Sequence, residues 1–274
     1  QIDAGAQISI TGTASLGSDN KLTIASTADA DASVIFSNLP SNTVSLQRYF
    51  TSGEWHLFGV PITGIDAEDM YIAPIDSWMT WFDEGDGTNG AWRYVIATET
   101  VLTPTEGFMY YIDAAASAQT ITYTGSLITS NKSFNLYKDK EGWNALSNPY
   151  SSAIDWDEGT WDKTKTTEAA YVWDDSEGVG GSYLTRNNAG VGTLTDGIIP
   201  MGQGFFVQAN SAENFTIPAD ARVHSTQAYY KHAEEILEDD EPSQYIRLDL
   251  NDGIYGNTVF VGFPENGTDD FDYG

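Results

Sequence analysis

The chain has 274 residues, of which 41% are hydrophobic and 13% aromatic, enough apolar material for a substantial core and too much for a disordered chain. Its 12 Lys and Arg face 40 Asp and Glu, a formal net charge of −28, which opposes the clustered cationic contacts that nucleic acid or anionic lipid requires. There is no cysteine, so disulfides, thiolate zinc sites and cysteine nucleophiles are excluded, and no apolar run is long enough to span a bilayer.

Short runs rich in Thr, Ile, Val and aromatics alternate with Gly, Asn, Asp and Pro throughout, and the period of two predicts an all-β chain. A β-rich lead-in occupies residues 1–43, with apolar pairs at Ile8/Ile10, Leu22/Ile24 and Val34/Phe36 spaced to stack as short rungs. A first β unit follows over 44–127 and a second over 128–222, with Thr120 to Tyr123 and Phe215 to Ile217 as representative half-buried strands. The closing segment, 223–274, holds an acidic run from Glu234 to Glu241 and then two strands, Tyr245 to Leu250 and Thr258 to Val261. These flank Asn251-Asp252-Gly253 and predict a hairpin with Asx-Gly turn chemistry. Only Ala228 to Glu241 offers a helical alternative, with few periodic apolar positions.

The two central units are imperfect copies of each other. Trp55 falls on Trp143 and Pro61 on Pro149 at an offset of 88 residues. Phe82-Asp83-Glu84 falls on Trp173-Asp174-Asp175 and Gly90-Ala91-Trp92 on Gly181-Ser182-Tyr183 at an offset of 91. Glu106-Gly107-Phe108-Met109 falls on Gln203-Gly204-Phe205-Phe206 at 97. Matched anchors with a drifting offset mean insertions in loops between fixed strands. The expected architecture is two homologous antiparallel β units packed as a sandwich, through faces that carry Trp55, Phe108, Trp143 and Phe205.

Gly142-Trp143-Asn144-Ala145-Leu146-Ser147-Asn148-Pro149-Tyr150-Ser151-Ser152-Ala153-Ile154-Asp155-Trp156 resembles the GWNLIGNPYPSAIDW signature of large secreted and cell-surface proteins of Bacteroidetes bacteria. The likeness continues through Tyr171 to Asp174, Ile199 to Val207, Ala221 to His224, Ile246 to Leu248 and Gly267 to Asp272, and covers most of the chain. It departs at Ala145 and Leu146, where the pattern prefers Leu and then Ile or Val, a conservative change for a core strand. The resemblance implies export, attachment to the cell surface and cargo of the type IX secretion system. Such proteins carry a C-terminal sorting domain, so it also implies that this sequence is part of a longer polypeptide. It implies no shared catalytic residues.

Three kinds of site are open on residue chemistry. Hydrolytic catalysis finds only His56, His224 and His232, with no Gly-x-Ser-x-Gly or His-Glu-x-x-His motif, and His56, opposite Asn144 in the repeat, suits a structural role. The acidic loop present in both copies offers Asp83, Asp86 and Asn89, and Asp174, Asp175 and Glu177, as oxygen ligands for calcium. The same residue types also suit a solvated turn. Among the aromatics, Trp78, Trp81 and Trp161 have no aromatic counterpart in the other copy and are the expected ligand contacts, whereas matched aromatics are expected to be core.

The expected function is a non-catalytic adhesive or structural module, secreted to the cell surface, that engages protein or glycan there or associates with itself. The alternative is a carbohydrate-binding accessory region of a secreted polysaccharide-degrading enzyme. Nucleic acid and a membrane span are not expected.

Overall fold

A computed structural model describes residues 1–15, 22–39, 43–95, 100–175, 181–194 and 196–227, together with the backbone of two strands, 244–251 and 256–263. The chain divides into two compact units, Gln1–Ala233 and Glu234–Gly274. It is all-β: among the described residues the only helical turns are two short 3-10 turns, Ala67–Met70 and Ala219–Ala221.

The lead-in contributes β1 (Gln7–Thr13), β2 (Leu22–Ile24) and β3 (Ser33–Asn38). The first copy contributes β4 (Thr43–Phe50), β5 (Trp55–Phe58), β6 (Ile62–Thr63), β7 (Ile65–Asp66), β8 (Ser77–Asp83), β9 (Ala91–Tyr94), β10 (Val101–Leu102), β11 (Phe108–Ile112) and β12 (Gln119–Leu127). The second contributes β13 (Lys132–Asn135), β14 (Trp143–Ser147), β15 (Ala153–Asp155), β16 (Ala169–Asp174), β17 (Ser182–Asn187), β18 (Ile198–Ile199), β19 (Gly204–Gln208), β20 (Asn214–Ile217) and β21 (Arg222–Val223). In the second compact unit, β22 (Gln244–Asn251) and β23 (Gly256–Phe263) pair antiparallel as the expected hairpin. Its Asp252-Gly253 turn, the Glu234 to Glu241 run and the Ala228 to Glu241 alternative lie outside the described residues.

The duplication is visible strand by strand. The first copy holds a four-stranded antiparallel sheet in the order β5-β11-β8-β9, and the second holds β14-β19-β16-β17, the same path through the chain. The strand before each sheet pairs with the strand after it, β4 with β12 and β13 with β20. A short outer pair, β7 with β10 and β15 with β18, also recurs. Register is kept as well. Phe58 lies opposite Phe108 as Leu146 lies opposite Phe205, and Phe82 lies opposite Trp92 as Trp173 lies opposite Tyr183. The offsets of 88, 91 and 97 are therefore structural equivalences, because a slip of one residue would turn every side chain to the other face.

Each four-stranded sheet buries one face in the core of its own copy. Phe58, Met79, Phe108, Tyr110 and Ile112 pack against Val44, Leu46, Phe50, Ile121 and Tyr123 of the β2-β4-β12-β6 sheet. Leu146, Val172, Phe205 and Val207 pack with Tyr150, Trp156, Trp161, Phe215 and Ile217 in the second core. Phe108 and Phe205 thus face inward within their own copies. The expectation that they join the two copies is corrected: by alternation the side chains turned to the other copy are Met109 and Phe206, which pack with Leu57, Phe82, Trp143, Ala145, Tyr171 and Trp173.

The lead-in stacks as expected but in two places. Ile8 and Ile10 lie beside Val34 and Phe36 in a parallel β1-β3 pair, and Leu22 and Ile24 beside Val44 and Leu46 in a parallel β2-β4 pair. Ile24, Val34 and Phe36 are part of the first copy's core, whereas β1 is largely exposed. The alternation of β4 places Arg48 among the core positions, and the fold meets that charge with Asp31 from the lead-in, a salt bridge with both side chains buried. His224 joins lead-in strands β1 and β3 to the second copy, its Nε2 against Ser9 Oγ at 2.8 Å and its Nδ1 against Ser33 Oγ at 2.9 Å.

Candidate functional site

The two copies meet through reciprocal contacts. Phe58 bridges Gln203, and their equivalents Leu146 and Glu106 bridge each other. Gly59 N–H donates to Gly202 O at 2.8 Å, and Ser147 N–H, at the position equivalent to Gly59, donates to Thr105 O at 3.0 Å. A pairing in which residue i meets j and the equivalent of j meets the equivalent of i is the isologous pattern of a two-fold dimer, here within one chain.

The acidic loops belong to this junction. Glu84, buried at the end of β8, accepts three backbone N–H groups from the turn that leads into β14: Asp139 on Oε2, and Lys140 and Gly142 on Oε1, each at 2.7 Å. Its equivalent Asp175 accepts the N–H of Trp55 at 3.0 Å, so one acid holds the turn before Trp143 and the other holds Trp55 itself, each across the junction.

Asp83 and Asp86 sit across the β8-β9 hairpin from one base. Arg93 Nη2 is 2.5 Å from Asp86 Oδ2 and Arg93 Nε is 4.0 Å from Asp83 Oδ2, while Asp83 Oδ1 accepts Gly85 N–H at 3.1 Å. Asp174 is buried, and Glu177 lies outside the described residues. Among the described residues no group of three or more His, Asp or Glu is gathered as a metal site.

The junction leaves an open groove of about 410 Å³, lined by Phe82, Asn89, Trp92, Trp143, Tyr171, Tyr183 and Phe206. Phe206 is buried and forms the floor. Around it stand Phe82 at 5.1 Å, Trp92 at 5.8 Å, Tyr183 at 5.9 Å and Trp143 at 6.3 Å between ring centroids, with planes 89°, 86°, 84° and 81° to its own. Trp92 and Tyr183 are 37% and 42% exposed and form the rim. The hairpins are shaped for these rings. Gly90 and Gly181, equivalent residues with φ of +88° and +64°, lie so close to Phe82 and Trp173 that a β carbon would stand 2.2 and 2.3 Å from ring atoms.

The aromatics chosen on sequence divide. Trp78 is 38% exposed and stacks at 5.6 Å on Tyr111, which in turn meets Trp55 at 5.2 Å. Trp81, 41% exposed, pairs with Phe108 and so lies on the opposite face of β8 from Trp78; the two do not form one row. The expectation for Trp161 is corrected: it is 4% exposed, in the second core against Trp156 and Phe215, with the Lys163 ammonium 5.7 Å from its ring centre. The groove aromatics Trp92, Tyr183, Phe82 and Trp143 match between copies, which points to core, yet they line the opening. Their signal was the equivalence of Trp92 with Tyr183, which a reciprocal junction brings to one place.

The signature run is structural. Asn148 Nδ2 donates to Ser152 O, Ile199 O and Pro200 O at 2.8, 3.1 and 2.8 Å, and its Oδ1 accepts Tyr150 N–H at 3.0 Å. Tyr150 Oη donates to Ile217 O at 2.8 Å, and burial pushes the phenol well above its ordinary pKa. Ser151 Oγ donates to Val34 O at 2.9 Å, and Trp156 is wholly buried. His56 is buried against Thr51, its Nε2 2.9 Å from Oγ1, and Asn144 holds the turn at Tyr137 with Oδ1 accepting its N–H at 2.7 Å. His232 lies outside the described residues. No helix among the described residues is long and apolar enough to cross a membrane.

Fold and groove together define a duplicated all-β protein with an aromatic, ligand-sized opening at the junction of its copies. The chain belongs to the family described as "Domain of unknown function (DUF8693)", whose model matches residues 1–274. No curated protein and no solved structure matches it.

Proposed function

We propose that this chain is a non-catalytic adhesive or structural module of a secreted bacterial cell-surface protein, of the type IX secretion cargo kind its signature resembles. In this reading the two four-stranded sheets act as one rigid sandwich. The observation that carries it is the groove: rings on both rims are held open to solvent at a junction fastened by reciprocal backbone contacts. Polar residues in the elements that build the junction support the same role, since Glu84, Asp175 and Asn144 are spent on backbone groups. Strands β9 and β17 are edges of their sheets and offer a further surface to a protein partner or a second copy.

The test is binding of the purified protein to cells and to a glycan panel, with fractionation of native cells. Cell binding or self-association without glycan binding, and recovery from the surface fraction, support the proposal; recovery from cytosol alone overturns it. The carbohydrate-binding alternative is favoured by the Trp78-Tyr111-Trp55 row, exposed at Trp78 and half-buried at the other two, since tilted ring faces can cover the apolar face of a sugar. Glycan binding abolished by Trp78→Ala would replace the adhesive reading with that one.

A further inference from the structure

We infer that the groove between the copies is a binding site for a quaternary ammonium group. Its floor is Phe206 and its walls are four further aromatic rings whose planes stand at 81° to 89° to that of Phe206, an arrangement that can turn several ring faces to one volume. Ring faces are the negative side of the aromatic quadrupole, and enclosure by several of them is how proteins recognise alkylated ammonium ions.

The charge agrees. Among the described residues no basic side chain lines the groove, and the hairpin that carries Phe82, Asn89 and Trp92 also carries Asp83, Glu84 and Asp86 against a single base, Arg93. The chain as a whole, at −28, raises the local concentration of cations and repels anions.

The lining further selects the kind of cation. A primary ammonium brings three N–H donors that need acceptors once desolvated, and among the described residues the side chains lining the groove supply the Asn89 amide and the hydroxyls of Tyr171 and Tyr183, with no carboxylate. A trimethylammonium group has no donors and loses nothing there except water, so the groove favours it over lysine-type ends. The lysine the fold does place over tryptophan rings, Lys163 at 5.2 Å from Trp156, has oxygen neighbours for its protons, the Glu158 carbonyl and Asn188 Oδ1 at 3.5 and 3.4 Å. The assignment rests on groove geometry and does not depend on the adhesive reading.

The experiment is titration of the intact chain with choline, with its neutral isostere 3,3-dimethylbutanol and with ethanolamine, at constant ionic strength, followed by tryptophan fluorescence and calorimetry. Choline is expected to bind about tenfold or more tightly than either comparator. Trp92→Leu and Tyr183→Leu keep apolar volume at the rim but remove a ring, and each is expected to weaken choline about tenfold when titrated at a temperature where its own melting curve shows it folded. Vesicles of phosphatidylcholine against phosphatidylethanolamine then distinguish the source. Retention on the former alone points to a lipid headgroup, and choline binding without retention to a soluble cation. Equal affinity for choline and 3,3-dimethylbutanol, or no choline binding, would overturn the proposal, as would full affinity in both leucine variants.

Discussion

Gly59 and Ser147 are the same position in the two copies, and they face each other: a β carbon added to Gly59 would stand 2.1 Å from the β carbon of Ser147 and 2.0 Å from its hydroxyl. At the centre of a reciprocal interface an equivalent residue must meet itself, and two side chains larger than hydrogen do not fit there. The second copy keeps its serine, which donates to Pro104 O at 2.9 Å, and the first gives up its side chain.

Gly59→Ala is therefore expected to destabilise by about 1–3 kcal/mol through overpacking, whereas Ser147→Gly loses about 1 kcal/mol with its hydrogen bond. In the double variant the alanine gains room, so the two changes should couple favourably in urea denaturation. Strict additivity would show that the copies are further apart than described. The Glu106 carbonyl, 2.9 Å from the added carbon, keeps the rescue partial.

A second prediction concerns the acid that fastens the junction. Glu84→Ala leaves three N–H groups in the turn at 139–142 without their acceptor, and the loss is expected to be on the order of 3 kcal/mol or more. Glu84→Gln can keep the two bonds on one oxygen but turns an N–H donor toward Asp139 N–H, with a loss of about 1–3 kcal/mol. Hydrogen exchange at residues 139–142 should rise in both variants. Protection unchanged in the alanine variant would count against the latch.

How much of this was legible in the sequence depends on the range of the interaction. The offsets 88, 91 and 97 could be read because strand register tolerates no slip, whereas loops absorb insertions; the structure returns the same equivalences at Phe58/Leu146, Phe82/Trp173 and Phe108/Phe205. Of the residues expected to join the copies, Trp143 does lie on the side packed against the other copy, whereas Phe108 and Phe205 are off by one residue. Phe108 and Met109 differ by a single step of alternation, and both are apolar in each copy, so pattern alone does not separate inner from outer face. The lack of a counterpart for Trp161 suggests a contact surface, but the segment that carries it folds its ring onto Trp156 and Phe215. The groove and the Glu84 latch join residues tens of positions apart on different copies, and nothing local to either segment announces them.

The reciprocal junction also exposes a mismatch between Glu106 and its equivalent Gln203. Gln203 Nε2 donates to Leu57 O at 2.8 Å, but Glu106, against Leu146, carries a carboxyl whose burial pushes its pKa above the ordinary value, more than its hydrogen bond with Thr103 lowers it. Because the folded pKa is the higher, the native state holds the proton through the interval between the two values. Stability from this group is therefore lost as pH rises through that interval and stays lost above it. Glu106→Gln is expected to be more stable than the parent at pH 7, on the order of 1 kcal/mol, with the difference gone below about pH 4. Denaturation at the two pH values measures this, and a variant weaker than the parent at pH 7 would show that the carboxylate is favourable where it stands.

Calcium on Asp83, Asp86 and Asn89 would have to compete with Arg93, whose guanidinium already lies 2.5 Å from Asp86 and 4.0 Å from Asp83. That pair is about half exposed on the arginine side, so it contributes little to stability, within about 1 kcal/mol. Its main effect on the loop is to occupy the carboxylates a cation would use. In Arg93→Ala two carboxylates and one amide are left on a glycine-containing loop, the oxygen set that calcium prefers over magnesium where the geometry can relax. At matched ionic strength calcium is expected to raise the melting temperature of Arg93→Ala more than that of the parent, and more than magnesium does, with Asp86→Asn in the same background removing the difference. Equal rises with either ion in all three proteins would mean that the cation only screens the field of a −28 chain, and the loop would then stand as a solvated turn closed by its own arginine.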